Sequence, residues 1–185
     1  VLATIVVVVS VAGCGGGQRQ DANEPSGTFS LNVVKAAFPS AQSLAKQEAL
    51  TIAVKNSDTR AIPDVAVTVD SFSMRSQQPG LADPSRPVWI VDQPPVGGTT
   101  AYTNTWALGR LAPGQTRTFT WKVTAIQSGT HTVKYRVAAG LNGKAHAKVN
   151  GRDDFQGSFT VAISGKPAQA TVDPATGKVI RAPAG

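Results

Sequence analysis

The 185-residue sequence contains one cysteine, one methionine and two histidines. A single cysteine excludes an intrachain disulfide, so any fold must rest on its apolar core. Zinc and copper sites use clustered His and Cys ligands at defined spacing, and this chain has too few of them. Nucleophilic catalysis needs a Ser, Thr or Cys beside a base that a third group orients. His131 alternates with Val133 and Tyr135 and is expected to point inward, whereas His146, between Lys144 and Lys148, is expected to point outward. The two should not meet. There is no glycine-flanked serine elbow and no Gly-rich phosphate loop followed by Lys and Ser or Thr. Neither catalytic residues nor a cofactor is expected. Long apolar runs are missing too: Val1 to Val11 is shorter than the roughly 20 residues that cross a bilayer as a helix.

That run is nevertheless long enough to be the apolar part of an export signal. It closes on Val11, Ala12, Gly13 and Cys14, and the small pair before the cysteine resembles the bacterial lipobox, the cleavage site of lipoprotein signal peptides. The resemblance covers these four residues and their apolar approach. It implies that residues 1–13 are a signal peptide cut after Gly13, and that the sulfur of Cys14 receives a diacylglyceryl group. No Lys or Arg precedes the run, as the charged first region of a signal requires, so the signal is expected to begin upstream of Val1. A lone cysteine after an apolar stretch is also a common core residue. Against that, Gly15, Gly16 and Gly17 and the polar residues after them do not continue a strand or helix. Residues 14–27 read as a flexible, lipidated tether. The expected location is the extracytoplasmic face of a cell membrane, held by the lipid anchor.

All 18 Lys and Arg and all 11 Asp and Glu lie beyond Cys14, so the formal charge of +7 belongs to the exported part. It favours anionic neighbours such as lipid headgroups and acidic envelope polymers. The export address argues against nucleic acid.

The body of the chain has a period of two. Phe29, Leu31 and Val33 alternate with Thr28, Ser30 and Asn32; Leu50, Ile52 and Val54 with Thr51 and Lys55; and Val65, Val67 and Val69 repeat the pattern. It returns in Gln115 to Ala125, with Phe119, Trp121 and Val123 inward, in Gly129 to Ala139 and in Ser158 to Ile163. The one helical candidate is short, around Ser40 to Gln47. Strands separated by turns, without long helices, predict an all-β, antiparallel sandwich. About seven strands over residues 28–164 fit immunoglobulin-like size. Leu111, Ala112, Pro113 and Gly114, the Thr-rich strand after them, Gly129, and alternating Val133, Tyr135 and Val137 resemble bacterial immunoglobulin-like surface modules. In particular they resemble the cell-adhesion-related domain found in bacteria, as does the stretch from Leu50 through Asn56 to Ile62, Pro63 and Val65. The resemblance implies fold more than role. His131 stands where many such domains carry a tyrosine, so no tyrosine corner is implied.

Between Ser73 and Thr100 the alternation fails among prolines and glycines, and only Val88 to Val91 is expected to pair as a strand. Trp89, Tyr102 and Trp106 in and after this segment could anchor a glycan or protein partner. The competing reading is that they plug the open end of the sandwich. Leu141, Asn142 and Gly143 suit a tight hairpin turn. Pairing of Thr130 to Ala138 with Lys144 to Lys148 across it would put Lys134, Arg136, Lys144, His146 and Lys148 on one face for an anionic partner. Lysines that keep an exposed edge from aggregating are the plainer explanation. Asp153 and Asp154 suit a solvated turn better than a calcium site. Residues 165–185 read as a mobile tail with a small turn at Asp173, Pro174 and Gly177. The sequence therefore predicts a non-catalytic binding or scaffolding module of the cell envelope, with an envelope protein, glycan or anionic polymer as partner. The alternative is an envelope carrier or sensor of a small ligand or metal.

Overall fold

The computed structural model describes residues 21–72, 75–77, 85–167 and 169–181. Gly13, Cys14 and Met74 lie outside the described residues, as does the expected signal peptide. In chain order the described strands begin with β1 (Gly27–Ala37), β2 (Ala41–Leu44), β3 (Gln47–Asn56), β4 (Ala66–Val69), β5 (Arg75–Gln77), β6 (Ser85–Pro87) and β7 (Trp89–Gln93). They continue with β8 (Thr99–Tyr102), β9 (Thr105–Ala107), β10 (Thr116–Ala125), β11 (Gly129–Ala138), β12 (Ala145–Val149), β13 (Gly157–Pro167), β14 (Ala170–Val172) and β15 (Val179–Arg181). One sheet has the order β12-β1-β3-β10-β7 and the other β2-β13-β11-β4-β9-β8. Among the described residues, β5 with β6 and β14 with β15 form separate two-stranded sheets.

The period of two explains why these sheets stack. Leu31, Leu50, Ile52, Val54, Phe119, Trp121 and Val123 of the first sheet and Val67, Val69, Val133 and Val161 of the second are all fully shielded from solvent. The residues between them face outward, as Thr116, Thr118, Thr120 and Lys122 do on β10. Each buried aliphatic side chain contributes about 1.5–3 kcal/mol. Aromatic rings fill the middle where a cross-linked sandwich would carry a disulfide. Trp121 lies 5.4 Å from Trp106 at 76° and 5.9 Å from Phe119 at 13°, with Phe72 against its edge at 6.4 Å. The all-β sandwich expected from the sequence is therefore present.

Several local expectations are corrected. Among the described residues the two sheets contain eleven strands where about seven were expected: the short strand expected at Val88 to Val91 is β7, and β2, β8 and β9 are additional. Strand β7 pairs with β10, with Trp89 opposite Ala125. Ser40 to Gln47 is not helical: β2 lies parallel to the edge of β13, and Ser40 O accepts the Ala162 amide at 2.8 Å. The buried side chain of Gln42 holds it there, accepting from Trp89 Nε1 at 2.9 Å and donating to Pro39 O at 3.1 Å. Pairing with a distant strand thus overrides local propensity. The β1–β12 pair is parallel as well, so the sandwich is antiparallel except at two edges. The expected tail contains the last residues of β13 and the β14–β15 hairpin, whose turn Asp173 organises by accepting from the Ala175 amide and the Thr176 hydroxyl, both at 2.8 Å. The Thr176 hydrogen bond chiefly holds the Asp173 carboxyl below its ordinary pKa.

Candidate functional site

The basic face expected from a β11–β12 hairpin does not form. After Ala138 the chain crosses between layers, so β11 lies in the six-stranded sheet and β12 pairs with β1 in the five-stranded one. Lys134 and Arg136 are thereby separated from His146 and Lys148. Arg136 is also engaged: its Nη2 lies 2.9 Å and its Nε 3.1 Å from the two oxygens of Asp70. That pair raises the Arg136 pKa above its ordinary value. Lys144 lies outside both strands, at the turn, with its amide donating to Asn142 Oδ1 at 2.9 Å.

At the crossing, backbone amides are met by a carboxylate from the segment expected as tether. Glu24 is buried, and its Oε2 accepts the amides of Leu141 and Asn142, the latter at 3.1 Å. Its Oε1 accepts the Ala145 amide at 3.0 Å. Asn142 Nδ2 donates to Asp21 O at 2.7 Å, and Tyr102 donates its hydroxyl proton to Asp21 Oδ2 at 3.1 Å. Residues 21–26 are therefore a strap fixed to the sandwich rather than free chain. One charged acceptor thus satisfies two loop amides and the first amide of β12. Gly140 makes room for it, since a Cβ there would lie 2.1 Å from Glu24 Oε1.

The aromatic trio is not an exposed cluster. Trp89 and Trp106 are core residues, and only Tyr102, 46% exposed, reaches the surface. Core packing, the competing reading, describes both tryptophans, although Trp106 packs on Trp121 in the middle of the sandwich rather than at its open end. His131 sits half-buried at the end of the sandwich, its ring 5.8 Å from Trp89 and its Nε2 3.0 Å from Ser128 O. His146 is exposed on the other sheet. The two histidines thus belong to different layers and share no nucleophile. Among the described residues no three His, Cys, Asp or Glu gather where a metal ion could bind, and Asp153 and Asp154 are exposed turn residues. No described helix is long and apolar enough to cross a membrane.

What sequence reasoning missed is the outer face of the five-stranded sheet. Register places Ser30 beside Lys148, Asn32 beside Lys55 and Thr116, Lys35 beside Ala53 and Thr118, and Ala49 beside Lys122. Lys35, Lys55, Lys122 and Lys148 therefore project from one side. A bulge between Val33 and Lys35 turns Lys35 to this side, which strict alternation along β1 hides. None of the four forms an ion pair among the described residues. The face has one carboxylate within it, Asp92, which accepts from Thr124 Oγ1 at 2.7 Å and Gln47 Nε2 at 3.1 Å. At its rim, Asp58 is held by Arg60, whose Nε lies 3.3 Å away, and by the amides of Arg60 and Ser30. These contacts, the Arg60 side chain first, lower the Asp58 pKa to about 2.

No family model matches the chain, and no curated protein matches it. Solved structures with similar folds include the CARDB domain of a Pyrococcus furiosus protein in complex with di-metal ions, at 14% identity over 75% of this chain and 94% of that one, with a TM-score of 0.41. Native alpha-2-macroglobulin of Escherichia coli, from domain MG7 to the C-terminus, is 14% identical over 81% of this chain and 21% of its own, with a TM-score of 0.47. Beta-glucosidase of Listeria innocua in complex with glucose is 14% identical over 74% of this chain and 16% of its own, with a TM-score of 0.36. These likenesses concern fold alone.

Proposed function

We propose that this protein is a non-catalytic binding or scaffolding module, held on the outer side of a cell membrane by a lipid on Cys14. The observation that carries the reading is the Glu24 strap. It fixes where the chain enters the sandwich, so an anchor at Cys14 holds the domain by that end. The six residues between Cys14 and Asp21 make seven Cα–Cα steps, a span of at most about 25 Å. The sandwich therefore stays close to the headgroups, where even a weak contact gains effective concentration from tethering. Two acyl chains make such an anchor persistent, since each buried methylene contributes about 0.8 kcal/mol. Membrane fractionation of cells expressing the wild type and Cys14→Ala tests it. The wild type should partition with membranes, and the variant should leave them with an unchanged melting temperature; a variant retained in the membrane fraction would contradict the anchor.

A further inference from the structure

We infer that the outer face of the five-stranded sheet is a docking surface for a flexible, linear polyanion carrying phosphate groups. Neighbouring strands lie about 4.8 Å apart and alternate residues about 6.7 Å apart along a strand. The observed register then puts the Lys35 and Lys55 Cα atoms about 8 Å apart and those of Lys55 and Lys148 about 12 Å apart. Lys122 continues the set on β10, about 16 Å from Lys35. Four ammonium groups without carboxylate partners thus lie across four adjacent strands, opposed within the face by Asp92 alone. Thr116, Thr118 and Thr120 stand exposed between them, with no side-chain partner among the described residues. A phosphate offers acceptor oxygens in several directions and takes an ammonium and an adjacent hydroxyl together.

Shape favours a chain over a membrane surface. Adjacent strands rotate by about 20–25°, so the three steps from β12 to β10 turn the row of lysines through about 60–75°. A flexible polymer follows that twist, whereas a flat bilayer meets only part of it. On β11 of the six-stranded sheet Arg136 is neutralised by Asp70, which leaves Lys134 without a cationic companion on that strand.

The inference rests on the reading of the protein as a binding module but not on its anchor. Binding of inorganic polyphosphate to the full, detergent-solubilised chain, followed by fluorescence anisotropy, tests it without reference to Cys14. Absence of lipid on that residue would leave the result standing. At 50 mM NaCl, converting Lys35, Lys55, Lys122 and Lys148 to Gln should weaken binding at least tenfold. Converting Arg110, Lys134, Lys166 and Lys178 to Gln, an equal change in net charge elsewhere, should weaken it less than threefold. The milder pair Lys35→Gln and Lys55→Gln should fall between, and melting curves establish that each variant is folded. Raising NaCl from 50 to 200 mM should weaken wild-type binding about 50-fold if four cations are engaged. Equal losses in the two fourfold variants would overturn the inference. So would binding to phosphatidylglycerol vesicles through the same four lysines with none to polyphosphate.

Discussion

Replacing Gly140 with Ala places a methyl group where the Glu24 carboxylate now lies. The added Cβ would meet Oε1, Cδ and Oε2 of Glu24 at 2.1, 2.2 and 2.5 Å, far inside contact distance. The carboxylate must leave, and the amides of Leu141, Asn142 and Ala145 lose their acceptor. A hydrogen bond to a charged group is worth about 1.5–3 kcal/mol net, but a surface loop recovers part of this from water. The expected loss is about 2–4 kcal/mol, or about 4–16 °C in melting temperature for a chain of this size. Glu24→Ala should cost a similar amount because it orphans the same amides. The decisive assay is the double-mutant cycle, read by urea denaturation. With Glu24 already removed the slot is empty, so Gly140→Ala should then cost less than about 1 kcal/mol. Additive losses would show that the two residues do not share one clasp.

At neutral pH, Asp58→Asn should lower stability by about 1 kcal/mol, a figure discounted for solvent screening because its partner Arg60 is exposed. The Asp58 pKa is depressed when folded, so this contribution is present above the ordinary carboxylate range and disappears as pH falls from about 4 to about 2. Urea titrations across that range should show wild type and variant converging; a constant gap would remove the ion pair as its cause. Trp121 Nε1 is buried without a hydrogen-bond partner among the described residues, so Trp121→Phe loses volume and ring contacts but no hydrogen bond. Its cost should be well below the roughly 3–5 kcal/mol of a large aromatic truncated to Ala. If calorimetry gave Phe and Ala variants equal losses, an unseen polar contact would be indicated. Gly157→Ala should also destabilise the fold, since its Cβ would lie 2.1 Å from the Tyr135 ring. A melting temperature matching the wild type would mean that the ring has room to move.

Much of the core is legible in the sequence because side-chain alternation is a local property. Phe119, Trp121 and Val123 face inward wherever β10 lies. Partner choice is not local. Asn142 and Gly143 suit a hairpin, yet β12 pairs with β1 in the other sheet, and the amides around the crossing are met by Glu24, more than a hundred residues earlier. A lone acidic residue in a polar stretch gives no advance sign of that role. The same limit explains the basic surfaces. Lys134 and Lys148 look like companions along the chain but occupy different layers, while Lys35 joins Lys55 only through register and a bulge. Trp89 in a Pro-rich segment reads as a plug of the sandwich more readily than as a loop contact. Its burial follows from pairing of β7 with β10 and from the hydrogen bond to Gln42, itself on a segment that looks helical.

Intact-mass and amino-terminal analysis of the protein extracted from native membranes tests the account most directly. A chain beginning at Cys14 and carrying the added mass of a diacylglyceryl group on sulfur is the expected result. A free Cys14 thiol in a chain that still retains residues 1–13 would contradict a lipid-held sandwich outside the cell.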